Sequence, residues 1–99
     1  MISRLFLDTN ILIYSRDEAS PLFQPVRDAL RGLVDAEIGL CISRQVLREY
    51  VAVVTRPPPR GLGASVQEAL QQVAEFERFY RVLADPENVW ETWKQVVRE

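Results

Sequence analysis

The chain contains no histidine. That absence alone removes the commonest general acid–base, every Ser-His-Asp arrangement and the histidine-ligated zinc sites from its chemistry. Cysteine is nearly absent too. Cys41 stands alone in an apolar run, so there is no disulfide framework, and a buried thiol in a reducing compartment is expected. The 4 glycines never take the spacing of a phosphate-cradling loop. No apolar run approaches the roughly 20 residues of a bilayer span. Asp8 breaks the one stretch that could serve as the apolar part of a signal peptide. A cytoplasmic protein with no membrane segment is therefore expected. Lysine is reduced to Lys94, every other basic residue being an arginine. Arginine is the better bidentate phosphate ligand, although genome composition is the plainer source of such a bias. A net charge of −2 argues against a broad electrostatic footprint for nucleic acid.

What is present is an ordinary globular composition, 47% hydrophobic and 26% charged over 99 residues, enough for one small domain spanning residues 1–99. Arg4–Asp8 reads as a short, nearly all-apolar strand of the kind covered on both faces in parallel sheets. Thr9 or Asn10 can cap a helix over Ile11–Arg16, and Asp17–Ser20 is a polar turn. Leu22–Ala36 has helical spacing at Val26, Ala29, Leu30, Leu33 and Val34, with Pro25 tolerable only in the first turn and Gly32 weakening the interior by about 1 kcal/mol. Ile38–Ile42 is a second strand. Ser43 can cap a helix over Arg44–Thr55 that faces Val46, Leu47, Tyr50, Val51 and Val54 inward. Arg56–Gly63, with its three prolines, must be a loop; it is a stiff connector first and a ligand for an aromatic-lined partner only second. Ser65 and Glu68 form a capping box for a helix reaching Tyr80. Arg81–Ala84 is a brief third strand, and Asp85-Pro86 opens a last helix with an apolar stripe at Val89, Trp93, Val96 and Val97. Strands alternating with helices predict an α/β fold with a parallel sheet.

Ligands of open parallel sheets bind at the carboxyl ends of strands, which is where Asp8 falls. Taken alone, such an aspartate is more often a cap or a turn former. Glu49 lies about 40° beyond Val53 on its helix, at the margin of the apolar arc, and alone would be a solvated boundary residue. Together the two are more informative, because carboxylates brought close repel unless a cation lies between them. Oxygen ligands suit a hard ion such as Mg²⁺ or Mn²⁺, which can activate water at a phosphodiester. Asp85 ends the third strand but is explained by capping, and Asp17, Glu18, Asp28 and Asp35 read as turn or solvated acids.

The segment Phe6-Leu7-Asp8-Thr9-Asn10-Ile11-Leu12 resembles the opening motif of PIN-domain ribonucleases. Ile42–Val51, followed by Val54-Thr55-Arg56-Pro57, resembles that family's second acidic motif, and the element order agrees. The nearest subgroup is similar to VapC toxins of bacterial toxin–antitoxin pairs. The resemblance implies a three-layer α/β fold with strand order 3-2-1-4-5, of which this chain carries strands 1–3 in the order 3-2-1, so that the PIN-like domain is expected to be incomplete at its C-terminal side. It also implies a Mg²⁺- or Mn²⁺-dependent endoribonuclease acting on RNA, with a VapB-like antitoxin and a homodimer as partners. Asp8 and Glu49 match the first two metal-site acids, and Thr9 and Asn10 match the residues that orient the first. The remaining acids find no match, so weak or absent activity is expected of the 99-residue chain. A non-catalytic interaction module binding an antitoxin or a second PIN subunit is the alternative. A phosphotransfer domain with Asp8 as nucleophile is disfavoured, since Thr9 and Asn10 follow where a second acid would be wanted.

Overall fold

A computed structural model describes residues 4–83 and 89–98, with side chains at 4–83 and 93–98. Three strands, β1 (Arg4–Phe6), β2 (Gly39–Ser43) and β3 (Arg81–Leu83), form one parallel sheet in the order β1-β2-β3. Read from the other edge this is the expected 3-2-1. Phe6 pairs with Cys41, and Cys41 in turn with Arg81. The central strand is the apolar one: Leu40, Cys41 and Ile42 are all buried, as parallel strands covered on both faces require.

The described residues also form five helices: α1 (Thr9–Tyr14), α2 (Phe23–Asp35), α3 (Arg44–Val54), α4 (Val66–Phe79) and α5 (Val89–Arg98). Helices α2 and α3 pack on β2, α4 packs on β3 and on α3, and α1 lies against α3 and α2. The core is built largely from α3 and α4. The Tyr50 ring meets Phe76 edge-on at 4.9 Å between centroids, a favoured aromatic geometry, among Leu12, Leu47, Val54 and Val73. The Arg16 guanidinium lies over Phe76 and bonds Glu75 at 2.8 Å.

Local rules account for most boundaries. Ser43 ends β2 and caps α3 in one residue, its hydroxyl accepting the Val46 N–H, and Ser65 accepts the Glu68 N–H at the start of α4. Two expectations need correction. The cap of the first helix is Asp8, whose carboxylate accepts the Ile11 N–H, so the helix begins at Thr9 and not at Ile11. The paired part of β1 ends at Phe6, with Leu7 N–H still bonded to the Cys41 carbonyl at 2.8 Å. Helix α2 forms where its spacing predicts, yet no residue of it is buried, and Val34 is 59% exposed. The reading of Asp85 as a cap lies outside the described residues.

The loop after α3 folds back on that helix. Gly63 N–H bonds the Arg56 carbonyl at 2.8 Å and Ala64 N–H bonds the Val54 carbonyl at 2.9 Å. A Cβ at Gly61 would run into the carbonyl oxygens of Val53 and Arg56. Gly63, at φ +67°, makes the return. The triproline segment is thus held as part of a tight closure against α3.

Candidate functional site

Asp8 is placed by two constraints that meet at one residue. The β1 ladder fixes the backbone up to Leu7, and the N-terminus of α1 draws the carboxylate onto Ile11 N–H at 2.9 Å. The side chain is therefore oriented at the carboxyl end of β1 while its residue stays exposed. Glu49 comes from the middle of α3, on the flank of the face that carries Leu47, Tyr50, Val51 and Val54 into the core. Its carboxylate is held from two sides. Thr9 Oγ1 donates to Oε2 at 2.7 Å across 40 positions of sequence, and Gln45 Nε2 donates to Oε1 at 3.3 Å from one turn earlier on the helix.

The packing of α1 on α3 thus brings the two sequence-predicted acids to one pocket of about 390 Å³. Asp8, Thr9, Asn10, Glu49 and Arg56 line it, over a floor of Ala52 and Val53. Thr9 is a neighbour of Asp8 in the chain and a hydrogen-bond donor to Glu49, so its hydroxyl ties the second acid to the element that bears the first. Asn10 adds an amide to the rim.

Sequence reasoning did not single out Gln45 or Arg56 as site residues. Both carried a signal. Counting from Glu49, Gln45 lies four residues back and Arg56 seven ahead, the spacing of one helix face. Arg56 sits just past the end of α3, with its N–H on the Val53 carbonyl and its own carbonyl on Gly63 N–H. The folded-back loop therefore fixes its backbone at the pocket wall. A guanidinium beside two carboxylates lets the pocket meet an anion as well as a cation.

The donor set is all hard oxygen: two carboxylates, with the Thr9 hydroxyl and the Asn10 amide adjacent. That chemistry fits Mg²⁺ or Mn²⁺ and disfavours softer ions. Among the described residues no group of three or more His, Cys, Asp or Glu side chains comes together to hold a metal. Among the described residues, no helix is long and apolar enough to cross a membrane.

Comparison with known proteins gives two matches. A model of the PIN domain matches residues 5–99. The ribonuclease VapC7 of Mycobacterium tuberculosis is 31% identical over 62 residues, which is 63% of this chain and 43% of that protein. The chain thus spans less than half the length of this relative. No solved structure matches.

Proposed function

The chain belongs to the PIN-domain family, and from that premise we propose that its acid pocket is the metal-binding half of a VapC-like endoribonuclease site. The observation that carries this reading is the meeting of Asp8 and Glu49, from β1–α1 and from α3, in one pocket tied together by the Thr9 hydroxyl. Asp8 and Glu49 would hold a Mg²⁺ or Mn²⁺ ion, which when bound supplies a nucleophilic water and neutralises charge on a phosphodiester. Thr9 and Gln45 fix the rotamer of Glu49, so little ordering is left for the moment of binding. Asn10 lines the approach. Arg56 offers the scissile phosphate of an RNA strand a cationic contact from the pocket wall. With two clustered acids the site holds its ion loosely, and cleavage by the 99-residue chain is slow.

The partners in this reading are RNA, a VapB-like antitoxin peptide and a second copy of the chain, in the cytoplasm. The free edge of β1, where Leu5 and Phe6 are exposed, supports the homodimer, since an undefended apolar edge favours pairing with another chain. A second reading, a non-catalytic PIN-like module that only binds an antitoxin or another PIN subunit, draws support from the same exposed Leu5 and Phe6.

Calorimetric titration with Mn²⁺, run beside cleavage of an unstructured RNA, separates the two. The nuclease reading expects Asp8→Asn and Glu49→Gln each to weaken Mn²⁺ binding by about tenfold or more, roughly 1.4 kcal/mol, and to abolish residual cleavage. Unaltered Mn²⁺ binding in both variants would leave only the interaction module.

A further inference from the structure

The acid pocket lies at the N-terminal end of α1. Past the other end of that helix opens a second pocket, of about 200 Å³, whose polar and aromatic lining is Ser15, Arg16, Arg27, Arg31, Phe79 and Tyr80. Three guanidiniums in so small a space reverse the sign of a chain whose net charge is −2. Arg16 is partly neutralised by Glu75. Arg27 is held by uncharged partners, its Nε donating to the Ser15 carbonyl at 2.9 Å and its guanidinium lying 4.7 Å from the centre of the Phe23 ring. Its orientation is fixed while its charge is left uncompensated. Arg31, one turn further along α2, is exposed, and neither it nor Arg27 has a carboxylate within ion-pair distance among the described residues. Of the neighbouring acids on α2, Asp28 takes the Gln24 amide, and Asp35 lies a turn beyond Arg31.

The second observation is apolar. Phe79, the last residue of α4, is 75% exposed on the wall of this same pocket. Behind it Tyr80 is stacked on Phe76. An aromatic face left in water beside clustered guanidiniums, one of them held in place, is the arrangement by which proteins hold single-stranded nucleic acid, the arginines taking the backbone and the ring taking a base. A guanidinium fork grips carboxylate and phosphate alike, so an acidic peptide would also satisfy the charges, but it would leave Phe79 in water.

We propose that this pocket is a metal-independent subsite for single-stranded RNA, with a backbone phosphate on Arg27 and Arg31 and a neighbouring base stacked on Phe79. In its choice of RNA as the physiological strand the proposal rests on the nuclease reading, to which it adds a second hold on the substrate. The two pockets lie on the order of 10 Å apart along α1, so a strand gripped at the arginines is kept near the acids without help from the ion.

The test is fluorescence anisotropy of a labelled, unstructured oligoribonucleotide titrated with the 99-residue chain in EDTA over a salt series. Wild type binds. Arg31→Glu weakens binding about tenfold and lowers the slope of log K against log salt by about 0.7, because one phosphate is no longer neutralised. Phe79→Ala weakens binding about fivefold or more with the slope unchanged, and Phe79→Trp restores it. Both positions are exposed, and thermal melts like wild type show that the variants fold; should Arg31→Glu fail to fold, Arg31→Gln carries the same test. The proposal is overturned by no binding in EDTA, by wild-type affinity in both variants, or by a polyglutamate peptide that competes equally well against wild type and Phe79→Ala. The nuclease reading stands or falls separately, on Mn²⁺ binding by Asp8→Asn.

Discussion

Helices α2 and α3 both carry an apolar stripe at helical spacing, yet they meet different fates. On α3, Leu47, Tyr50, Val51 and Val54 are no more than 2% exposed. On α2 nothing is buried; Leu30 and Leu33 are only half-covered, and a groove of about 180 Å³ runs between them and Leu5 and Phe6 of β1 with the following Leu7. The difference lies in the neighbours. Among the described residues, helix α3 is enclosed by α1, α4 and β2, whereas the main packing of α2 is on α1 and β2, beside a strand, β1, that is paired on one side. An apolar stripe says which face of a helix avoids water. What covers that face is decided by other elements.

The largest effect that could break this comparison is cavity formation. Leu47→Ala removes a side chain with no exposed surface and should cost about 3–5 kcal/mol in urea denaturation, while Leu33→Ala on the half-covered face should cost about 1 kcal/mol. Equal losses at the two positions would mean that α2 is as enclosed as α3.

Alkaline pH probes the packed half alone. Tyr50 has no exposed surface and donates its hydroxyl to the Gln72 side-chain oxygen. Burial pushes its pKa up to about 12, against a smaller opposing pull from Arg16. The protonated phenol belongs to the folded state, so the unfolded chain gives up its proton first, near pH 10. Stability from this group is full below pH 10 and is lost as pH rises toward 12, in all by about 2–3 kcal/mol. Tyr80, also raised by burial, adds to the loss. Tyr50→Phe should flatten much of the decline in stability measured between pH 9 and 12, at a neutral-pH cost of about 1 kcal/mol for the hydrogen bond. An unchanged alkaline profile in that variant would show that Tyr50 is not the group responsible.

How much of the molecule was legible in its sequence follows from how local each determinant is. Ser43 and Ser65 could be read as caps because each stands alone before its apolar run. At the first helix Asp8, Thr9 and Asn10 are all good N-cap residues, and sequence alone could not choose among them. The choice is made by β1 pairing, which holds the chain extended through Leu7 and leaves Asp8 the first residue free to turn. That Asp8 and Glu49 share a pocket was legible from strand-end and helix-face geometry. That Thr9 would bind Glu49, and that Arg56 would be pinned beside them, depended on contacts between α1 and α3 and on the loop's return through Gly61 and Gly63. Nothing in the local pattern of residues 56–63 fixes that closure. The openness of α2 was illegible because its stripe has the same spacing as that of α3, and only the neighbours differ.

If α2 is loosely covered, it should tolerate added volume. Gly32 has nothing within 4 Å of the position a Cβ would take. Gly32→Ala should therefore stabilise the protein by about 1 kcal/mol through helix propensity alone. The same change at Gly61, where the Cβ would meet carbonyl oxygens, should destabilise it. Urea midpoints measure both, and a destabilised Gly32→Ala would reveal a covering contact on that face.

The smallest expected effect lies where α2 ends. Its last turn closes through two bonds, Glu37 N–H to the Val34 carbonyl at 2.9 Å and Ile38 N–H to the Leu33 carbonyl at 3.0 Å. That is a Schellman closure, which puts the residue after the C-cap Ala36 in the left-handed region, where glycine is usual. Here the residue is Glu37, at φ 62°. A left-handed non-glycine residue costs about 1–2 kcal/mol, and glycine would relieve it while losing part of that gain to the greater freedom of the unfolded chain. Glu37→Gly should therefore stabilise by a few tenths to about 1 kcal/mol, whereas Glu37→Ala, which keeps the Cβ, should gain nothing. Because Glu37 is exposed, any gain comes from the backbone and not from burial, which makes the pair of variants a probe of α2's ending independent of its packing. If alanine stabilised as much as glycine, relief of left-handed strain would not be the cause, and the gain would trace to the lost charge of Glu37.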